Sequence, residues 1–444
     1  MPSPSHESST PHGKLITQIW LPLAASWLLM GLERPIVTAF MARLEDPTIN
    51  LAAYASAVFP LSLIIESPII MLLAASTALS KNWTWYCFLR NFMVWLAAGL
   101  TLIHGIVAFT PLFDFLVSTV LKIPEAIVEP ARIGMMLMTP WTASIAIRRF
   151  YQGILIRNGQ SHWVGVGTAT RLIALCWGLL LGFAWESPSG IIIGTFAISL
   201  GVLTEAIFIR ICAQPILQQL KNAASSVEEP PRIREFLQFY IPLATTPLLT
   251  LLALPVASAA LSRMPSPIES FAVWPILGGL IFLFQGIGLA YQEVVVALIE
   301  KPNFFVPLRR FAFQLAFCNS AVLILIAATP LAHIWFVTIS GLPNDLARLG
   351  KNTLWLAILF PALTVIESWF QGLLVHSHKT QGIIEAVAIY LLISATILGG
   401  GIYLGIFTGL YVGYMAGLCG LIMQTLWLRF RCQPFIKTKT SKQA

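Results

Sequence analysis

The chain has 444 residues, of which 57% are apolar and 10% charged, with a mean hydropathy of +0.80 and a formal net charge of +8. Soluble domains carry roughly 25% charged residues, and one soluble core could not hide so much apolar surface. Composition therefore excludes a soluble globular protein and points to a chain whose outer face meets lipid.

Residues 1–14, MPSPSHESSTPHGK, are polar and rich in Pro and Ser, and are expected to be disordered. They lack the layout of a cleaved secretory signal. From Leu15 onward the chain shows twelve apolar runs of the length, about 20 residues, that crosses hydrocarbon as a helix. The first six fall near 15–43, 50–79, 91–112, 132–157, 163–185 and 190–212. The second six fall near 235–262, 268–299, 311–332, 352–376, 381–404 and 408–430. Prolines at 35, 60, 68, 140, 255, 275 and 361 lie inside these runs, and each should bend its helix. The short alternating segments of a membrane barrel are not seen. The expected fold is all-α and polytopic. A polar linker, 215–234, separates an N-terminal lobe (15–214) from a C-terminal lobe (235–430), and a basic tail (431–444) follows. The six cysteines have no paired CxxC spacing, so neither a disulfide framework nor a zinc site is expected.

Lys and Arg set the expected orientation. With the N-terminus inside, 17 of the 27 fall on cytoplasmic ends, loops and tail, and four (Arg34, Arg148, Arg149, Arg171) lie within runs. The remaining six, Arg43, Lys122, Arg132, Arg263, Arg348 and Lys351, fall on the opposite side. Both termini are therefore expected in the cytoplasm of a cell-membrane protein. The positive charge then faces lipid head groups, and nucleic acid is not a partner.

The two sets of runs repeat one another. RRFYQGILIRNGQS (Arg148–Ser161) returns as ESWFQGLLVHSHKT (Glu367–Thr380), 219 residues later. IWLPLA at Ile19 answers FYIPLA at Phe239, and PIVTAFMARLEDP at Pro35 answers PVASAALSRMPSP at Pro255. LRNF at Leu89 answers LRRF at Leu308. The offset stays near 220, slipping by about five at Pro60/Pro275. Six helices per copy is an even number, so both copies enter from one side as a parallel repeat.

Two parallel six-helix halves, each with an aromatic-Gln-Gly-hydrophobic ending to its fourth helix, resemble the MOP flippase superfamily. That superfamily includes MATE multidrug exporters, lipid-linked oligosaccharide flippases and the progressive-ankylosis (ANK) transporters. YQGILIRNGQS looks like the superfamily's fourth-helix ending, and LERPIVTAFMARLEDP (Leu32–Pro47) looks most like the ANK branch. The resemblance implies two lobes around a central cleft and export or flipping by alternating access. MATE exporters often carry an acid in the first helix, at the place of Val37 here; Glu33, one turn earlier, is the candidate to replace it.

Ionisable residues in hydrocarbon are costly and so mark function by default. The deep ones are Glu33, Arg34, Glu66, Arg148, Arg149, Arg171, Glu205, Glu293 and Glu367, with Glu66 the most central. Glu205 and Glu293 fall nearer run ends and can be read as interfacial. The competing reading pairs these five acids and four bases as structural ion pairs. Arg148 and Glu367 occupy equivalent positions, as do Gln152 and Gln371 four residues on, so one expectation is an inner gate closed by Arg148 and Glu367 across the pseudo-twofold axis. The plainer expectation is that each charge pairs inside its own lobe. The histidines form no ligand cluster, and no P-loop, Rossmann fingerprint or catalytic constellation appears, so no metal, cofactor or enzymatic activity is expected. The leading reading is a monomeric secondary transporter that exports a small organic solute, coupled to H+ or Na+ through Glu33 or Glu66. The alternative is a flippase for a lipid-linked or amphipathic anion, favoured if Arg34, Arg148 and Arg149 dominate the cleft.

Overall fold

The computed structural model describes residues 11–185, 189–223, 232–301, 303–377 and 381–441, which are helical with no strand among them. Eleven segments are long and apolar enough to cross a bilayer. In the first half these are span 1 (His12–Met41), span 2 (Pro47–Leu79), span 3 (Trp83–Phe109), span 5 (His162–Ala184) and span 6 (Gly190–Asn222). In the second they are span 7 (Ile233–Leu261), span 8 (Pro267–Leu298), span 9 (Phe305–Ala328), span 10 (Asn344–His376), span 11 (Gln381–Leu404) and span 12 (Gly409–Ile436). Span 4 is the twelfth, built from the helices Val128–Leu137 and Thr139–Arg157. Arg132, Arg148, Arg149 and Arg157 lie in it, so apolarity alone does not mark it. Its place in the repeat, opposite span 10, does.

Several boundaries differ from expectation. Residues 215–222 of the expected linker continue span 6 as helix, and helix also covers residues 11–14 and 431–441. The rest of the expected N-terminal tail (1–10), the linker core (224–231) and residues 442–444 lie outside the described residues.

Proline chemistry explains most helix breaks. A proline cannot donate to the carbonyl four residues back, and its ring crowds that carbonyl. Helices end at Gly31, Leu251 and Ala357, each four residues before Pro35, Pro255 and Pro361; the break before Pro140 comes at Met138. Pro275 departs from expectation, because the helix Pro267–Leu298 runs through it without interruption.

The duplication is visible in backbone and side-chain detail. Asp46 and Ser266, 220 positions apart, both take left-handed backbone (φ 49° and 54°) before a helix-starting proline. Four residues later, Asn50 Oδ1 accepts the Ile191 N–H and Ser270 Oγ accepts the Leu410 N–H, each at 3.1 Å. Both bonds satisfy a donor left orphaned at a helix N-terminus, that of span 6 and that of span 12. Span 2 alone contains a π-helical turn, Tyr54–Val58, which accommodates one extra residue. Accordingly the offset is 220 at Asn50/Ser270 but 219 beyond the turn, where Ser76 faces Gly153 and Val295 faces Gly372. Pro60 and Pro275 are therefore not equivalent positions.

The Gln-Gly of the repeated motif has a packing role. A Cβ on Gly153 would lie 2.6 Å from the Leu73 carbonyl oxygen, and one on Gly372 would lie 2.7 Å from Val295 Cβ. Both glycines let the fourth helix of a half press against the second. Gly153→Ala should therefore lower stability by about 1–3 kcal/mol through overpacking. Gly165→Ala, with no atom within 4 Å of the new methyl, should be neutral or slightly stabilising. Thermal unfolding of the two variants in detergent checks this.

Candidate functional site

Charges buried in hydrocarbon need partners, and in the N-terminal half they find one another. Span 4 places Arg148 and Gln152 one turn apart, on one face. Arg148 Nη1 donates to Glu205 Oε2 at 2.9 Å, and Gln152 Nε2 donates to Glu205 Oε1 at 3.1 Å. Arg171 Nη1, on span 5, lies 3.8 Å from the same carboxylate, while its Nη2 donates to Glu33 of span 1 at 2.5 Å. Acid and base alternate through Glu33, Arg171, Glu205 and Arg148, tying spans 1, 4, 5 and 6 together. Glu205 is wholly buried and is the centre of the network. Small residues make this possible: a Cβ on Gly201 would sit 3.0 Å from the Arg171 carbonyl oxygen, so span 6 carries Glu205 close under span 5.

These distances decide between the two expectations. Arg148 and Glu367 do not pair across the axis; Arg148 is bound to Glu205, and Glu367 accepts the Thr425 hydroxyl, at 3.2 Å. Each charge is held in its own lobe. Glu205 is wholly buried, whereas Glu293 is exposed. At the positions equivalent to Arg171 and Glu205 the second half has Tyr390 and Gln424, so it keeps a polar layer with one buried charge, Glu367. Gln371 is half-buried there.

Two further candidates stand beside the network. Glu66 is buried at the end of the helix Phe59–Glu66, with Oε2 sealed and unbonded among the described residues. It feels the fields of Arg148 and Arg149, and Arg149 Nε is likewise sealed and unbonded.

Arg34 is placed differently. Neighbours on a helix point about 100° apart, so while Glu33 turns into the lobe, Arg34 turns to the junction between lobes. Its guanidinium lies 5.1 Å from the ring of Phe59 on span 2 and 4.6 Å from that of Phe282 on span 8. No carboxylate pairs with it among the described residues. It lines a cavity of about 60 Å³ with Tyr54 and Phe59 from one half and Leu254, Trp274 and Gly278 from the other. That volume admits a handful of waters, whereas a drug-sized ligand takes about 300–1,000 Å³. The cleft is narrow here.

Ties between the lobes run along its length. Arg43 donates to the Thr338 carbonyl, and Arg263, 220 positions later, donates to the carbonyls of Val120 and Leu121. Those carbonyls lie at the C-terminal ends of the π-helical turns Phe115–Val120 and Ile334–Ile339, where oxygens lack intrahelical donors and the helix dipole is negative. Elsewhere Tyr240 Oη donates to the Pro68 carbonyl (2.6 Å) and Trp20 Nε1 to the Ile287 carbonyl (3.1 Å). Sequence reasoning named Arg43 and Arg263 as repeated residues and Pro68 as a helix bend, but paired none of them across the lobes.

Removing one member of a buried ion pair strands the other, at about 3–5 kcal/mol. Arg148→Met should therefore lower stability by that order. Arg148→Met combined with Glu205→Gln should lower it by clearly less than the sum of the single changes, as measured by unfolding of all four proteins of the cycle. Strict additivity would contradict the network.

No protein-family model matches the sequence, and no curated protein matches it. Solved structures do match. An inward-facing multidrug resistance MATE family transporter of the MOP superfamily aligns at TM-score 0.65 and 15% identity, over 95% of this chain and 99% of that one. The lipid II flippase MurJ, in an inward closed conformation, aligns at TM-score 0.71 and 14% identity, over 93% and 87%. A Vibrio cholerae MATE transporter aligns at 0.65 and 15%, over 98% and 99%. The chain thus has, end to end, the fold shared by MATE transporters of the MOP superfamily and the lipid II flippase.

Proposed function

We propose that the protein is a secondary transporter that moves an organic solute outward by alternating access, in a cell membrane with both termini in the cytoplasm. The observation that carries the reading is Arg34, a cation with no carboxylate partner among the described residues, facing a small cavity built by both lobes. Alternating access needs a central site and barriers on either side of it. The arginine–carbonyl contacts supply one barrier, and the Tyr240 and Trp20 bonds hold the lobes together elsewhere. Glu33 is committed to Arg171, so Glu66, whose Oε2 has no bonded partner among the described residues, is the stronger candidate to carry H+ or Na+.

Arg34 also favours the second reading, an amphipathic anion as the cargo. Glu33 and Glu205 are bound to arginines, no acid among the described residues lines the cavity beside Arg34, and the aromatic rings there suit an apolar body attached to an acidic group. The folds of a multidrug transporter and a lipid flippase accommodate both readings.

Uptake and efflux in proteoliposomes across organic anions and cations, under imposed proton and sodium gradients, separates them. Anion transport should fall roughly tenfold to a hundredfold in Arg34→Gln, the worth of one charge-assisted hydrogen bond, and be partly kept in Arg34→Lys. Glu66→Gln should abolish the response to the gradient; transport indifferent to both gradients and to this change refutes ion coupling. In a background without the six native cysteines, Ala257→Cys should report the cleft to a membrane-impermeant thiol reagent. Labelling should rise about thirtyfold when Arg43→Ala and Arg263→Ala are added, since each arginine contributes about 1 kcal/mol.

A further inference from the structure

Outside the cleft, each half carries a groove on its outer wall. In the first half it runs between spans 3, 4 and 6 and holds about 400 Å³, with Val94, Ala98, Ile147 and Tyr151 in its walls and Arg90 and Arg210 at its head. In the second half it runs between spans 9, 10 and 12 and holds about 510 Å³, with Phe313, Ile366, Phe370 and Leu426 in its walls and Arg309 and Arg429 at its head. The two are one groove repeated. Arg90/Arg309, Val94/Phe313, Ile147/Ile366, Tyr151/Phe370 and Arg210/Arg429 are all 219 positions apart.

Three observations say what fits there. First, among the described residues none of the four arginines has a carboxylate partner, although nearby Arg431 pairs with Glu385 at 2.8 Å. Lone interfacial arginines commonly snorkel towards water, but here they occur in twos, each pair crowning an apolar trough, and the arrangement survives duplication. Second, spans 3 and 9 begin, and spans 6 and 12 end, on the face that carries the linker, so both pairs stand at one membrane surface. Third, the first groove follows span 3 from Arg90 to Thr101, and eleven residues of helix cover about 16 Å. One leaflet of a hydrocarbon core about 30 Å thick is about that deep.

We propose that each lobe binds one anionic phospholipid of the surrounding leaflet, its phosphate held by Arg90 and Arg210 or by Arg309 and Arg429 and one acyl chain laid in the groove below. The occupant is a structural lipid, distinct from any cargo of the cleft. Anionic lipid at the arginine-bearing face agrees with the excess of Lys and Arg expected there from sequence.

The purified full-length protein, exchanged into detergent with an equal mixture of phosphatidylglycerol and phosphatidylcholine, should retain two phosphatidylglycerol molecules in native mass spectrometry. Arg90→Gln with Arg210→Gln should lose one of them, and Arg309→Gln with Arg429→Gln the other, with affinity at the altered groove falling roughly thirtyfold. Ala98→Trp fills the first groove without touching charge and should also release one lipid, so the test stands even if an arginine variant folds poorly. Equal retention of phosphatidylcholine by the unaltered protein overturns the proposal, as does retention of both phosphatidylglycerols by the charge and Trp variants.

Discussion

The chain Glu33–Arg171–Glu205–Arg148 sets the terms for the rest of the structure. An isolated charge inside a bilayer is costly, and only close pairing with further hydrogen bonds makes several of them tolerable together. Here two acids and two bases alternate, and Gln152 fills a remaining acceptor position on Glu205. The outcome is less a gain in stability than a constraint: spans 1, 4, 5 and 6 cannot shift separately without stranding a charge. The N-terminal lobe is thereby held as one body, and Arg34, outside the network, has no carboxylate partner among the described residues.

The second half shows what duplication kept and what it changed. Helix-end caps, left-handed turns, glycine contacts and proline breaks recur at offsets of 219 or 220. These features are geometric, and they determine how six helices pack. The ionic network does not recur: Tyr390 and Gln424 stand where Arg171 and Glu205 stand in the first half, and Glu367 is bonded to Thr425. Geometry was conserved between the copies while the buried chemistry diverged. Two lobes that pack as units need matched shapes but have no need of matched charges.

Much of this was legible in the sequence. Proline removes a particular hydrogen bond, so Pro35, Pro255 and Pro361 announce breaks four residues upstream. Duplication makes each half a check on the other, which is how the arginine-bearing fourth span is identified although its composition is the least apolar. Pairing was not legible. Arg148 and Glu205 are 57 positions apart and meet because of how spans 4 and 6 are rotated about their axes, which apolar runs do not reveal. Glu205 lies far along a 33-residue helix that continues well past its apolar stretch, so counting from the run's end placed it near an interface. Equivalence of Arg148 and Glu367 in the repeat suggested proximity, yet residues related by a twofold axis meet only if they lie on it. The π-helical turn in span 2 leaves no composition signal; its trace is a one-residue change of offset, legible once the contacts of Gly153 and Gly372 are known.

The arginine–carbonyl contacts between the lobes are reciprocal: Arg43 of the first reaches the second at Thr338, and Arg263 of the second reaches the first at Val120. In symmetry terms such an interface is isologous, the self-complementary kind found in twofold dimers of identical chains. A six-helix ancestor could have assembled with its own copy through these same contacts before its gene was doubled. Fusion would then have left the interface unchanged, replaced chance encounter by a tether, and freed each half to mutate without its twin following suit.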